Sequence, residues 1–522
     1  MEFLTGLLSG MQASLVNLGF GFQVALEPFN LFMLFVGVAL GLIIGVLPGL
    51  GGTSGVAILL PVTVFIAPTA AVILLAGIYW GALFGGVITT ILFNIPGEPW
   101  TVALLFDGYP LAKNKNKPGL ALSSSFLASF VGALIATILF TFFAIPLADA
   151  ALAFGPPELF AVYMLAFATL TGLESGSPIK SIVMIGFGFL LAAVGFDSVT
   201  SAPRLTFGRT ELLSGIGFVP VTIGLFGIGE ILFSAEEAGT LKFSGLAAKV
   251  GLRDVVEAFG ELRKRIWLLI STTLVGFWIG VLPGTGATPA SMLAYGMART
   301  YSKNKENFGK GEISGIIAPQ AAADAAAVGS LLPMIALGVP GSPTAAVIMA
   351  GLFIWGLTPG PLLFQTKPDF VWGLVASIYL GQLMAFLICI LGVPLLASIM
   401  RIPFAIMTPF VLVISILGAY SLQNSMTDVW VAILFGFIGF WLRKAKYPLA
   451  PLVVAIVLGD STEKVLRQSL IMSDASLGIF FTRPLAAVMM VVALALFFVP
   501  AYQAIRRRMR PASAAALEPP AE

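Results

Sequence analysis

The sequence predicts an all-α integral membrane protein, and three observations carry that prediction. Of 522 residues, 58% are hydrophobic and only 10% charged, against about 25% charged in an ordinary soluble domain. Mean hydropathy is +1.01. Apolar runs of about 20 residues recur along the chain, the length a helix needs to cross a hydrocarbon core about 30 Å thick. The runs are continuous rather than alternating, which favours helices over a β-barrel. About 11–12 spans are expected, with two re-entrant hairpins between them.

The residue inventory excludes several chemistries. There is no histidine, and Cys389 is the single cysteine. An intrachain disulfide, Cys/His metal sites and histidine acid–base catalysis are therefore out. The string "GTSG" at Gly52–Gly55 has the look of an intramembrane serine protease motif, but the base such an enzyme needs is missing. No phosphate-binding P-loop pattern occurs. No enzymatic activity is expected, and nothing points to nucleic acid; the lipid bilayer is the one environment that composition demands.

The organisation follows from the basic residues. They cluster at Lys113–Lys117, Lys242–Arg265, Arg299–Lys310, Arg443–Lys446 and Arg506–Arg510, and the positive-inside rule places all five clusters in the cytoplasm. Residues 1–28 read as an interfacial or first helix. Residues 29–233 form a first unit: a hairpin over 31–67, a broken span over 70–106, then four spans. A cytoplasmic amphipathic linker covers 234–265. Residues 266–459 repeat the order, with a hairpin over 266–300, a broken span over 313–357 and four spans. A loop and final span fill 460–505, and 506–522 is a basic cytoplasmic tail. The first hairpin has no basic flank and faces outside; the second has two and faces inside. The two units are thus expected to be inverted repeats.

Four Pro/Gly interruptions mark these units. "GVLPGLGGTSG" (Gly45–Gly55) and "GVLPGTGATPAS" (Gly280–Ser291) are the hairpin tips. "FNIPGEPW" (Phe93–Trp100) and "LGVPGSPT" (Leu337–Thr344) break the following spans. A single small-residue run is commonly a packing face. Two matched pairs in inverted units point instead to a midplane binding site. Half-helix N-termini expose amides and about half a positive charge, which suits an anion, while unwound carbonyls suit a cation. The expected substrate contacts are Gly51, Gly52, Thr53, Ser54, Asn94, Pro96, Gly97, Gly284, Thr285, Gly286, Thr288, Ser291, Pro340, Gly341, Ser342 and Thr344. No Arg or Lys lies in these motifs, so dipoles and hydroxyls would hold the anion. Among intramembrane acids, Asp324 is the functional suspect. Glu98 either lines the site or caps a half-helix. Glu174, Asp197 and Glu230 fall near span ends and read as solvated, and Asp107 as a cytoplasmic boundary residue.

At these motifs the sequence resembles a known family, the large membrane subunit (TctA type) of tripartite tricarboxylate transporters. The resemblance rests on "GVLPGLGG", "GIYWGALFGGVITTILFNIPGEP", "FDGYPLAK", "GFDSVTSAPRLTFG", "GVLPGTGAT", "FGKGEISGIIAPQAAADAA", "ALGVPGSPTAAVIMAG" and "LGDSTEKVLRQSL", in that order along nearly the whole chain. It implies an importer in a bacterial inner membrane, driven by a Na⁺ or H⁺ gradient. Its substrates would be small carboxylates of the di- or tricarboxylate type. Its partners would be a small four-helix membrane subunit and a periplasmic solute-binding protein. The hairpins also resemble those of elevator-like transporters, an analogy of fold. On this basis the coupling ion, with Na⁺ as the only bound cofactor envisaged, would sit at Asp324 and at the backbone of Gly49 and Gly338. The chain departs from the family pattern at Gln320, where a Glu is usual, at Ala323–Asp324 in place of Asn-Asn, and at Glu98 and Trp100 beside the site. A passive channel, or a receptor that docks a binding protein without transport, remain as alternatives at this point.

Overall fold

The computed structural model describes residues 2–172, 177–197, 200–238, 246, 249–400 and 404–509. Among them, seven helices are long and apolar enough to cross a membrane, or eight if the bent pair Leu252–Lys264 and Ile266–Val281 counts as one. The expected 11–12 spans also counted shorter apolar helices such as Pro178–Ala192, Thr408–Gln423 and Pro484–Val499. Strand is limited to a two-residue antiparallel ladder, Gly195–Phe196 with Pro203–Arg204. The chain is a multi-pass membrane protein. Glu174, Lys242 and the tail from residue 510 lie outside the described residues.

The first helix, Glu2–Ala25, is docked rather than free: Gly21 packs on the backbone of Trp372, and Phe22 on Tyr379. The linker contains the amphipathic helix Leu252–Lys264, which turns by 79° into Ile266–Val281. Its Leu252, Val256 and Phe259 are exposed on one face, with Arg263 and Lys264 in its last turn. Such a face suits a membrane surface. The last span of the second unit does not stop at residue 459: it is one helix, Ala450–Met472, which takes up the start of the expected loop.

Each unit contains a pair of helices joined backbone to backbone. Pro28–Val46 lies along Pro68–Phe93, with Gly37, Gly41 and Gly45 against the carbonyls of Leu74, Ile78 and Ala82. Gly77, Gly81 and Gly85 return the contact on Leu34, Val38 and Leu42. In the second unit, Gly276 and Gly280 of Ile266–Val281 meet Ala322 and Ala326 of Ser314–Gly329. Small residues at four-residue spacing permit this approach. In both pairs the register rises together along the two helices, so they run parallel. Parallel neighbours require the chain to come back between them. Gly52–Phe65 makes that return in the first unit, and Ala287–Tyr301 in the second. Each is therefore a helix–tip–helix hairpin laid against its broken span.

Beside these pairs, the helix starting at Phe218 contains a π-helical turn, Ile223–Ile228, packed on Met426–Lys444. A π turn rotates the side chains that follow it, and here Phe226 reaches the central cavity.

The seam makes a clear prediction. A Cβ on Gly41 would sit 2.2 Å from Ile78 O, and one on Gly280 would sit 2.1 Å from Ala326 O, whereas Gly19 has nothing within 4 Å. Gly41→Ala and Gly280→Ala are each expected to destabilise by about 1–3 kcal/mol or more through overpacking. Gly19→Ala should be neutral or slightly stabilising. Thermal unfolding midpoints of the detergent-solubilised variants check this.

Candidate binding cavity

The two breaks are built alike. Pro68–Phe93 ends at Asn94 in the left-handed region (φ +59°), and Leu331–Leu337 ends at Gly338 (φ +70°). Each is followed by a hydrophobic residue, Pro and Gly. Gly97 and Gly341 then approach other backbone so closely that a Cβ would strike Gly86 Cα at 2.6 Å or Gly280 O at 2.5 Å. Glu98 and Ser342 occupy the same place in the two motifs, both extended, each preceding a proline that starts the next helical stretch. The units differ beyond that point. Pro343–Ile354 is a full half-helix, while the first unit continues only as the short turns Pro99–Thr101 and Val102–Leu105.

Hydrogen bonds tie the tips to the breaks. Gly284 N–H donates to Pro340 O at 3.2 Å, Gly286 N–H to Gly341 O at 3.0 Å, and Gly341 N–H to Ser330 O at 3.1 Å. Ser342 Oγ accepts from Ala345 N–H and shares a hydrogen bond with Ser330 Oγ. Thr285 Oγ1 donates to the carbonyls of Ile279 and Leu282, and Thr169 Oγ1 to that of Pro283. Among the bonds between the units, Thr53 meets Thr344 at 2.8 Å and Ser291 Oγ donates to Trp100 O at 2.6 Å, both beside the tips.

A cavity of about 570 Å³ lies where these elements meet. Gly49, Gly51, Thr53, Ser54, Pro96, Gly97, Glu98 and Trp100 line it from the first unit. Gly284, Thr285, Gly286, Thr288, Ser342 and Thr344 line it from the second. Gly52 stands just behind the wall. Pro340 and Gly341 hold the second tip, and Ser291 is buried under Trp100. Asn94 and Gly338 form the helix ends and do not line the space. Tyr79, Phe226, Arg443 and the segment Lys446–Ala450 complete the wall.

Glu98 caps a half-helix, but not its own. Its Oε1 accepts the Gly52 N–H at 2.7 Å, at the start of the hairpin helix Gly52–Leu59, and its Oε2 accepts the Trp100 indole N–H at 3.2 Å. Asp324 and Gln320 lie apart from the cavity, fully buried on Ser314–Gly329. Gln320 Nε2 donates to Asp324 Oδ2 at 2.7 Å, and Ser125 Oγ donates to Gln320 Oε1 at 2.8 Å. The Ser129 hydroxyl neighbours the Asp324 carboxyl in the same buried setting.

Several acids differ from the solvated reading. Glu230 is fully buried and pairs with Arg443. Asp197 is also buried, in a network with Arg204, Arg467 and Glu463. Asp107 has no exposed surface: its Oδ1 accepts the amides of Gly309, Gly311 and Glu312, and its Oδ2 the Tyr295 hydroxyl. A buried carboxylate needs such partners, and apart from Arg204 beside Asp197 the ones named here come from sequence far away. Arg443 and Lys446 went unrecognised as site residues because a basic cluster after an apolar run reads as a membrane boundary.

The contact between units is open to a direct test. A double-mutant cycle of Thr53→Val and Thr344→Val should yield a coupling energy of about 0.5–1.5 kcal/mol, the net value of one such hydrogen bond. Chemical denaturation of the four proteins measures it.

Comparison with known proteins agrees with the motifs. A family model described as "Tripartite tricarboxylate transporter TctA family" matches residues 31–454. An Agrobacterium vitis protein described as an uncharacterized 52.8 kDa protein in the TAR-I ttuC' 3' region is 38% identical over 498 residues, 94% of this chain and 97% of that relative. A second, an uncharacterized protein in the TAR-II ttuC' 3' region of the same organism, is 36% identical over 215 residues, 41% of this chain and 88% of its own length. No solved structure matches. With the family pattern running over most of the chain and the larger relative matched nearly end to end, the chain belongs to the tripartite tricarboxylate transporter TctA family.

Proposed function

We propose that this chain is the large transmembrane subunit of a binding-protein-dependent secondary transporter that imports small carboxylates on a Na⁺ or H⁺ gradient. The observation that carries the proposal is the convergence of two hairpin tips and two helix breaks on one cavity of about 570 Å³. A scaffold or receptor has no need of four interruptions within its membrane helices, each of which demands compensating partners. A pore would need polar wall along its length, whereas the polar groups lining this cavity come mainly from the two tips and the two breaks.

In this reading the substrate carboxylate docks at the second tip. The amides of Ala287 and Thr288 begin the helix Ala287–Tyr301 and have no acceptor among the described residues. The Thr288 and Thr53 hydroxyls add donors, and Lys446 supplies a charge at the wall. The coupling cation uses the Gly49 and Gly338 backbone and Asp324. The units act as inverted, re-entrant repeats that move in an elevator-like manner, in the inner membrane, with the C-terminus in the cytoplasm. A small four-helix subunit and a periplasmic binding protein complete the assembly, and no cofactor beyond a bound cation takes part.

The ion pairs support this topology. Lys117 with Glu257 and Arg443 with Glu230 each join segments that the basic clusters assign to the cytoplasm. Glu158 with Arg483, and Asp197 with Arg467, join segments assigned to the opposite side. The cavity wall at Arg443 and Lys446–Ala450 belongs to the cytoplasmic set.

Reconstituted with its partner subunits, the chain should accumulate labelled carboxylate only with the binding protein and one imposed cation gradient. Equilibration without a gradient would favour a pore. Thr288→Ala and Asp324→Asn should lower uptake by about tenfold or more, the scale of one charge-assisted hydrogen bond, at normal expression. Lys446→Ala should mainly raise the apparent KM, several-fold, and do so less at high salt. Full uptake by the Thr288 and Asp324 variants would refute these assignments.

A further inference from the structure

We infer that Glu98 is a specificity-determining residue, a built-in carboxylate that stands where a second substrate carboxylate would bind, so that the cavity selects ligands with one carboxylate and a hydrogen-bond donor at the far end. This rests on the carboxylate-transport reading and narrows it.

The inference comes from an asymmetry between two equivalent positions. Both tips offer a half-helix start to the cavity, Gly52–Leu59 and Ala287–Tyr301. At the second, the residue of the facing break is Ser342, whose hydroxyl is engaged with Ser330 and Ala345, and no acid is present. At the first, the facing residue is Glu98, with its carboxylate on the Gly52 amide at 2.7 Å. Among the described residues, Glu98 is the only acidic one lining the cavity. It is half-buried, and its remaining surface faces that space.

A negative charge at a helix start complements the helix dipole, so the first tip already holds an anion. The Trp100 indole holds the other oxygen at 3.2 Å and fixes the carboxylate plane. Carboxylate oxygens carry further lone pairs, and those left on Glu98 accept a hydroxyl or ammonium donor but repel a second carboxylate. Among the described residues, the cations at the wall are Arg443, already paired with Glu230, and Lys446. The free positive potential of the cavity therefore lies with the second tip and Lys446, enough for one carboxylate.

A matched pair of ligands tests this. Succinate and 4-hydroxybutyrate share a four-carbon chain and differ at one end, carboxylate against hydroxymethyl. Binding is measured by calorimetry on the full chain in nanodiscs, without the binding protein, so that its own selectivity does not intervene. The wild type is expected to bind 4-hydroxybutyrate at least tenfold more tightly than succinate. Glu98→Gln keeps an acceptor for Gly52 N–H and removes the charge, and should improve succinate binding at least tenfold. Glu98→Thr, which shortens the side chain as well, should change the ranking in the same direction. Equal wild-type affinity for the two ligands, or a ranking untouched by a folded Glu98→Gln, would overturn the inference and leave the transport reading standing. Binding of neither ligand nor of citrate by the folded wild type would instead remove the carboxylate reading, and the inference with it.

Discussion

Backbone that leaves its helix inside an apolar slab must find partners, and the architecture is arranged around that requirement. Each unpaired amide or carbonyl in such surroundings costs several kcal/mol. The second hairpin tip meets the need with the carbonyls of the second break, through Gly284 to Pro340 and Gly286 to Gly341. The orphan carbonyls before the tip are met by Thr285 and Thr169. In the first unit Thr89 serves the Val46 carbonyl, and Glu98 serves the first amide of the returning helix. Tips and breaks are thus solutions to one another. Neither would be stable alone, which is why they occur as pairs in the chain.

Glycine makes that mutual support reachable. At Gly97 and Gly341 the chain passes within contact of another backbone, and no larger residue fits without displacement. At Gly338 and Gly284 the positive φ is needed to turn the chain. Asn94 adopts the corresponding left-handed turn in the first unit, as asparagine does more readily than other side-chain-bearing residues. The polar groups left over, amides at the second tip and hydroxyls of Thr53, Thr288 and Thr344, are those that face the cavity. What can bind there is a remainder of what the backbone needed for itself.

Much of this was legible in the sequence. Pro-Gly interruptions have a strong local cause, and the hairpin tips and breaks fell where proline and glycine demanded them. The helical class followed from run length. Other features depend on distant pairing and left no local trace. Nothing around Glu98 indicates that its partner is Gly52, 46 residues earlier. Arg443 and Lys446 read as boundary charges because their other role exists only once Met426–Lys444 packs on the π turn near Phe226. Glu230 and Asp197 were misread for the same reason: a charge near a span end is ordinarily solvated, and only the folded chain brings Arg443 to the one and Arg467 to the other. Asp324 is fully buried on Ser314–Gly329, and its hydrogen-bond partner there is Gln320, itself held by Ser125 from another helix, which no local pattern announces.

The parallel glycine seam has a mechanical consequence. Gly37, Gly41 and Gly45 mesh with Leu74, Ile78 and Ala82 at every turn, like the teeth of two racks. Sliding one helix along the other would drive the neighbouring Val38 and Leu42 towards the carbonyls that the glycines now clear. The same holds for Gly276 and Gly280 on Ala322 and Ala326. Each hairpin arm and its broken span therefore form a plank without internal slip. Any rearrangement of the two units must either carry a whole plank or be confined to the returning helices, Gly52–Phe65 and Ala287–Tyr301, whose described glycines make no such seam.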